Sequence, residues 1–419
     1  SAGLPSRFWI RDREGEQPAM TETAQPRLPM AALISASLLS IGVGYASTAP
    51  YDAIIAIDTL KIGHGDFALI LTVASIVGVI ASVALGWLSD RIGDRRLLML
   101  ATALLGVVGM GLMYWLRSPV AFVIAYCVIL PFGNSAFSQT FAYARVYYDQ
   151  TRPRDAEFRI TILRSIYAAS WVMVPPLAGW IAAVYQVFDV YLLAAAAYLV
   201  CGAISLVMLA DPATRLSSSR PKPSADGKGG IALPMLVGIC GILLINVAIR
   251  VSGTATPLAM VSHFGGNIGD VGIAAGIGAF LEIPLMLAWG FLGRRFRKHT
   301  LIAAGALIYA LYQVLLTQAS GVTEVFWLQV PRAVAIAVLM SVPISYMQEA
   351  IRGRVGLSTS LLDVTVVASG MLSAGIFGLV AAPGRYLELF WVAAALATIG
   401  AAVLVLAHNV LQRQPAAQH

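Results

Sequence analysis

The 419-residue chain is 58% hydrophobic and only 12% charged, whereas a soluble domain carries about 25% charged residues. This excludes a soluble globular protein, because no aqueous core buries so much apolar surface, and it makes lipid the solvent. The net charge of +7 is not a nucleic-acid signal, since the basic residues are sorted by loop, as membrane orientation and contact with anionic lipid require.

In chain order, residues 1–29 are polar and lack an apolar run. They are no signal peptide, and read as a disordered tail or as residues ahead of a start at Met20 or Met30. Twelve apolar runs follow, each near the ~20 residues that cross the hydrocarbon. The first six are 30–56, 67–89, 97–116, 119–144, 160–184 and 188–209, and the next six are 231–257, 269–292, 299–318, 323–348, 357–381 and 386–408. Between the sets, residues 211–230 contain SSSRPKPSADGKGG, a solvated linker by composition. The expected fold is an all-α membrane protein of twelve transmembrane helices. Two pseudo-symmetric six-helix halves, 30–210 and 231–408, precede a C-terminal tail, 409–419. With both termini in the cytoplasm, 17 Lys and Arg fall in cytoplasmic loops and only Lys61, Arg117 and Arg385 in outer ones.

The loop after the second run reads Gly86-Trp87-Leu88-Ser89-Asp90-Arg91-Ile92-Gly93-Asp94-Arg95-Arg96, and the loop after the eighth reads Gly290-Phe291-Leu292-Gly293-Arg294-Arg295. Their offset matches the offset between the first and seventh runs, so an internal duplication is visible in loops as well as in hydropathy. The first copy resembles the signature loop of the major facilitator superfamily, G-x-L-x-D-R-x-G-R-[RK], with Asp94 where a basic residue is usual. The resemblance implies a cytoplasmic latch built from Gly86, Asp90, Arg91, Gly93 and Arg95. A carboxylate such as Asp90 would rest on the positive end of a neighbouring helix. Arg294 replaces the acid in the second copy, which makes the latch one-sided.

Three further segments resemble the sugar efflux transporter family within that superfamily. They are Gln139-Thr140-Phe141-Ala142-Tyr143-Ala144-Arg145, Leu163-Arg164 with Trp171-Val172 and Pro175-Pro176, and Leu281-Glu282-Ile283-Pro284. The resemblance implies export of sugars or sugar analogues across a bacterial inner membrane. Arg332 departs from it by standing where Asn is usual, and Asp52, Arg250 and Asp363 add charges where neutral residues are usual. An acidic sugar or another solute therefore stays open as cargo.

An ionisable group at mid-bilayer costs about 2.5–3.5 kcal/mol on insertion scales and so needs a reason. Glu282 is the deepest acid by sequence position. It reads either as a proton carrier or as one member of a static pair, with Arg332 within reach. Gln329 shares the Arg332 face, and Ser341, Ser345 and Gln348 continue that stripe past Pro331 and Pro343. The stripe fits a wet cavity wall or a polar helix seam. Arg164, Tyr167 and Trp171 share one helical face, where rings can stack on a sugar while polar neighbours bind its hydroxyls. Asn134, Ser138 and Gln139 suit hydroxyl ligands or helix bridging. Asp52 and Arg250 suggest an ion pair at an outer gate, and Asp363 an element of the inner one.

The substrate-binding candidates are thus Asn134, Gln139, Arg164, Tyr167, Trp171, Gln329 and Arg332; Glu282, Asp52, Arg250 and Asp363 are candidates for proton coupling or ion pairing. No G-x-x-x-x-G-K-[ST] loop, no catalytic cluster and no metal-ligand spacing appears, and the three cysteines lie singly in apolar runs. The expected function is secondary export of a small sugar-like solute, with protons as a candidate coupling ion and without cofactor or enzyme activity. Multidrug or other metabolite efflux, and a non-transporting membrane sensor, are the competing readings.

Overall fold

A computed structural model describes residues 29–216, 233–292, 295–350 and 355–413. The expected N-terminal tail, most of the linker and the end of the C-terminal tail lie outside the described residues. The described residues form helices and connecting turns, without a strand. In chain order they are α1 Met30–Thr48, α2 His64–Ile92, α3 Arg95–Leu116, α4 Pro119–Thr151, α5 Ala156–Val184 and α6 Asp189–Ala210. Then come α7 Leu233–Ser262, α8 Ile268–Leu292, α9 Lys298–Gln318, α10 Val322–Ala350, α11 Val355–Val380 and α12 Tyr386–Arg413. Eleven of these are long and apolar enough to cross a membrane, and the apolar stretch described for α11, Val364–Val380, is shorter.

The first span departs from its expected continuous run. Pro50 has no N–H to continue the ladder, so α1 stops at Thr48 and the Tyr51 N–H turns back to the Thr48 carbonyl at 2.8 Å. The chain resumes as a short helix, Asp52–Ile54, and a π turn, Ile55–Thr59. A broken helix of this kind leaves backbone groups free at membrane depth, which is tolerated where they line a cavity or are buried in protein. The fourth span also carries a π turn, Ala125–Ile129, and runs past its expected end to Thr151. Its start is capped by Ser118, whose hydroxyl accepts the Ala121 N–H at 3.2 Å.

Helix pairing is the same in both halves. α1 packs on α5 and α6, and α6 on α3; correspondingly, α7 packs on α11 and α12, and α12 on α9. The halves meet through α5 against α8 and α2 against α11.

One end of the bundle carries Arg91, Arg95, Arg145, Arg152, Arg154, Arg215, Arg295 and Arg297; the other carries Lys61, Arg117 and Arg385. We refer to them as the basic and the opposite end. The tightest contacts between halves lie toward the opposite end. There a Cβ on Gly276 would meet the Val172 carbonyl at 3.0 Å, and one on Gly179 would meet the Gly269 carbonyl at 3.1 Å. The Phe67 and Phe377 rings lie 5.9 Å apart on the α2–α11 seam. Toward the basic end of α2, Ser82, Val83, Ala84, Gly86 and Trp87 are all exposed. At ~3.6 residues per turn these positions cover more than half the helix circumference. This part of α2 is thus uncovered among the described residues, whereas the contacts named above seal the halves together toward the opposite end.

Candidate functional site

At the junction of the halves lies a cavity of about 290 Å³, at the lower end of small-molecule sites. The break in α1 supplies Ala49 and Pro50, and α5 supplies Trp171. α7 contributes Ser252, Gly253 and Thr256, α9 contributes Tyr309 and Tyr312, and α10 contributes Gln329 and Arg332. Val271, Ala274 and Ala275 of α8 complete an apolar wall.

The polar part is organised around Arg332. Its Nη1 donates to Glu282 Oε1 at 3.1 Å and to Gln329 Oε1 at 3.4 Å. Gln329 is itself fixed by donating from Nε2 to the Val325 carbonyl at 3.1 Å. A Cβ at Gly278 would collide with Arg332 Nη1 and lie 3.3 Å from Gln329 Oε1, so glycine there makes room for the guanidinium. Both ionic side chains keep partial exposure, 31% for Arg332 and 19% for Glu282. The pair is net neutral, yet it offers donors and acceptors to a solute.

The aromatic part comes from the first half. The Trp171 indole meets the Tyr45 ring edge-on at 5.7 Å, and Tyr45 is 40% exposed. Tyr167 stands one turn away, packed on Phe137 at 4.5 Å.

Of the seven expected substrate residues, Trp171, Gln329 and Arg332 line the cavity. Asn134 instead accepts the Tyr198 hydroxyl at 3.1 Å inside the first half. Gln139 is 6% exposed, and Arg164 is exposed on the basic-end part of α5, away from the cavity wall. Ser341 donates to the Ala337 carbonyl of its own helix at 2.6 Å. The side chain of Gln348 lies outside the described residues.

The expected gate pair does not form. Asp52 accepts the Tyr191 hydroxyl at 3.2 Å, and Arg250 Nε donates to Ser369 Oγ at 3.0 Å. Tyr45 is an electrostatic neighbour of both charged groups. The side chain of Asp363 lies outside the described residues.

The sequence reading missed Tyr45, Ser252, Thr256, Tyr309 and Tyr312. A signal was present in the i, i+4 pair Ser252/Thr256 and the i, i+3 pair Tyr309/Tyr312, each on one helical face. Search for charged groups passes over hydroxyls in apolar runs.

At the basic end, Gly93 ends α2 in the left-handed region, φ 70°, where glycine is unstrained, and its N–H donates to the Ser89 carbonyl at 3.1 Å. Asp94 then caps α3 by accepting the Arg96 N–H at 3.1 Å, and it also binds that side chain through both oxygens, at 2.9 and 2.7 Å. Arg96 Nη1 lies 3.0 Å from the Met208 carbonyl, 2.9 Å from the Asp211 carbonyl and 2.6 Å from Thr214 Oγ1. The departure at Asp94 thus has a structural reason: the acid aims Arg96 at the end of α6. The Arg96 guanidinium holds the Asp94 carboxyl below the usual carboxylate range. Arg91 lies 5.1 Å over the Trp87 ring. The side chain of Asp90 lies outside the described residues, and a Cβ on Gly86 would meet nothing within 4 Å.

Residues 33–247 match the family model described as Major Facilitator Superfamily. Sugar efflux transporter A of Dickeya chrysanthemi is 29% identical over 342 residues, covering 80% of this chain and 84% of the relative. Sugar efflux transporter B of Salmonella typhimurium is 27% identical over 358 residues, covering 84% and 89%. Among solved structures, the nucleoside transporter NupG superposes with a TM-score of 0.73 at 12% identity, over 91% of this chain and 100% of that one.

Proposed function

The chain belongs to the Major Facilitator Superfamily as a multi-pass membrane transporter rather than an enzyme, and from that premise we propose that it exports a sugar or sugar analogue from the bacterial cytoplasm. The basic end faces the cytoplasm in this reading, by the loop asymmetry of Lys and Arg. The state described here is then inward-open, sealed at the outer end and ready to receive solute from inside. Rocking of the two matched halves, about α5–α8 on one side and α2–α11 on the other, moves the opening across the membrane.

One observation carries the choice of solute. The cavity is lined by the indole of Trp171 from the first half and by the donors and acceptors of Arg332, Gln329, Ser252 and Thr256 from the second. An aromatic face covers the C–H side of a pyranose, while amide, hydroxyl and guanidinium groups take its hydroxyls. The printed names of the curated relatives point the same way. The neutral Glu282–Arg332 pair suits an uncharged polyol, and an acidic sugar binds better once Glu282 carries a proton.

Counterflow of labelled mono- and disaccharides in liposomes holding the purified chain tests the proposal. Saturable exchange is expected, with Trp171→Ala and Gln329→Ala each weakening apparent affinity about tenfold, the loss of roughly 1.4 kcal/mol of contact. Exchange of lipophilic cations without exchange of any sugar would instead establish drug efflux. An absence of flux for every solute would leave the sensor reading.

A further inference from the structure

Glu282 and Asp52, both partly buried in spanning segments, have opposite surroundings. Glu282 has a cation in contact, Arg332 at 3.1 Å. Asp52 has none among the described residues. The Tyr191 hydroxyl of α6 donates to it at 3.2 Å, and Tyr126 of α4 and Tyr45 of its own span stand near. Arg250 of α7, also a neighbour of Tyr45, is engaged with Ser369 of α11. The next acid along the chain, Asp58, has Lys61 and His64 as charged neighbours. An ionised carboxylate surrounded by neutral hydroxyls at membrane depth is unfavourable, and taking up a proton removes the penalty.

Asp52 also adjoins both the seal and the cavity. The preceding residue, Tyr51, is fully buried and donates its hydroxyl to the Pro175 carbonyl at 2.6 Å, where α5 meets α8. Ala49 and Pro50, just before it, line the cavity. One short stretch thus joins the outer seal, an unpaired acid and the solute site.

We propose that Asp52 is the proton-binding site of the transport cycle and that its protonation accompanies closure of the outer seal. With the outer end open, Asp52 ionises in contact with water. Docking of α8, at Gly272, onto Tyr51 and Pro175 of the first half closes the outer end over it and draws a proton onto it. Opening of the basic end gives it a route past Tyr45, through which the proton leaves as solute enters. A proton taken up outside and released inside is exchanged for an outgoing solute; only this direction rests on the export reading. Glu282 then serves to position Arg332. By linkage, high pH favours the outer-open state and low pH the outer-closed one.

The test uses the full-length chain in liposomes, with Cys240→Ser and a reporter Ala49→Cys, and an impermeant maleimide added at the outer face. Labelling is expected to rise with pH along a single-proton curve, to be low and flat in Asp52→Asn, and to recover with a displaced midpoint in Asp52→Glu. Asp52→Asn should also lower pH-gradient-driven sugar movement at least about tenfold. A wild-type titration curve in Asp52→Asn, or a curve abolished by Glu282→Gln instead, overturns the proposal. So does labelling that follows sodium concentration rather than pH. Wild-type counterflow that is absent for every sugar refutes the solute reading alone, since the labelling curve needs no solute.

Discussion

Asp94 shows how one residue changes the job of a loop. Its carboxylate caps α3 and clasps Arg96, only 4% exposed, which in turn reaches three oxygens at the end of α6 and the start of the linker. Removing the acid leaves a buried guanidinium short of its partner, a change that costs about 3 kcal/mol, with cap loss adding about 1 kcal/mol. Asp94→Ala should therefore unfold several degrees lower in detergent, as read by thiol-reactive dye uptake at the buried Cys127 and Cys201. The pH dependence has a definite sign. Because the folded carboxyl titrates below its unfolded value of about 3.9, its stabilisation is complete above that pH and is lost as pH falls through the folded value. Asp94→Asn should be less stable at neutral pH and lose less of what remains on acidification below about pH 4. At the cavity, Arg332→Ala strands Glu282 and should cost about 2–3 kcal/mol. The double variant with Glu282→Gln should recover part of this, and a four-member cycle of thermal midpoints measures the coupling.

The elements owe their contacts to residues that perturb regular helices. The break at Pro50 puts Ala49 against the solute space and Tyr51 against α5. In α5, Pro175 and Pro176 leave the carbonyls of Trp171 and Val172 without their helical donors, and α8 passes them with glycine at 272 and 276. A Cβ on Gly272 would collide with the Pro175 carbonyl oxygen and the Tyr51 hydroxyl. Gly272→Ala is therefore expected to pry the outer seal open and raise outer-face labelling of the Ala49→Cys reporter severalfold. Gly375→Ala, where a Cβ meets nothing within 4 Å, should leave it unchanged. Labelling equal in the two variants would deny the α5–α8 crossing a part in closure.

For the whole molecule, orientation and symmetry are the testable properties. Single cysteines replacing Arg117 and Arg385 should react with impermeant reagent from outside intact cells, and one replacing Arg154 only after lysis. The reverse pattern would invert the export reading. The apolar runs, the two-half outline and the sorting of charge were legible along the chain, because run length and loop composition are local properties that the bilayer reads directly. The sequence also singled out Trp171, Gln329, Arg332 and Glu282, whose polarity or size at membrane depth demands a reason. Which groups meet emerged from packing, since that depends on each helix's rotation and partner. Packing joined Glu282 to Arg332 across α8 and α10, gave Asp52 and Arg250 separate partners in Tyr191 and Ser369, and turned Asn134 inward to Tyr198. Hydropathy carries no azimuth, so a lone acid and a paired one look alike in the sequence, and the packing of neighbouring helices is what separates them.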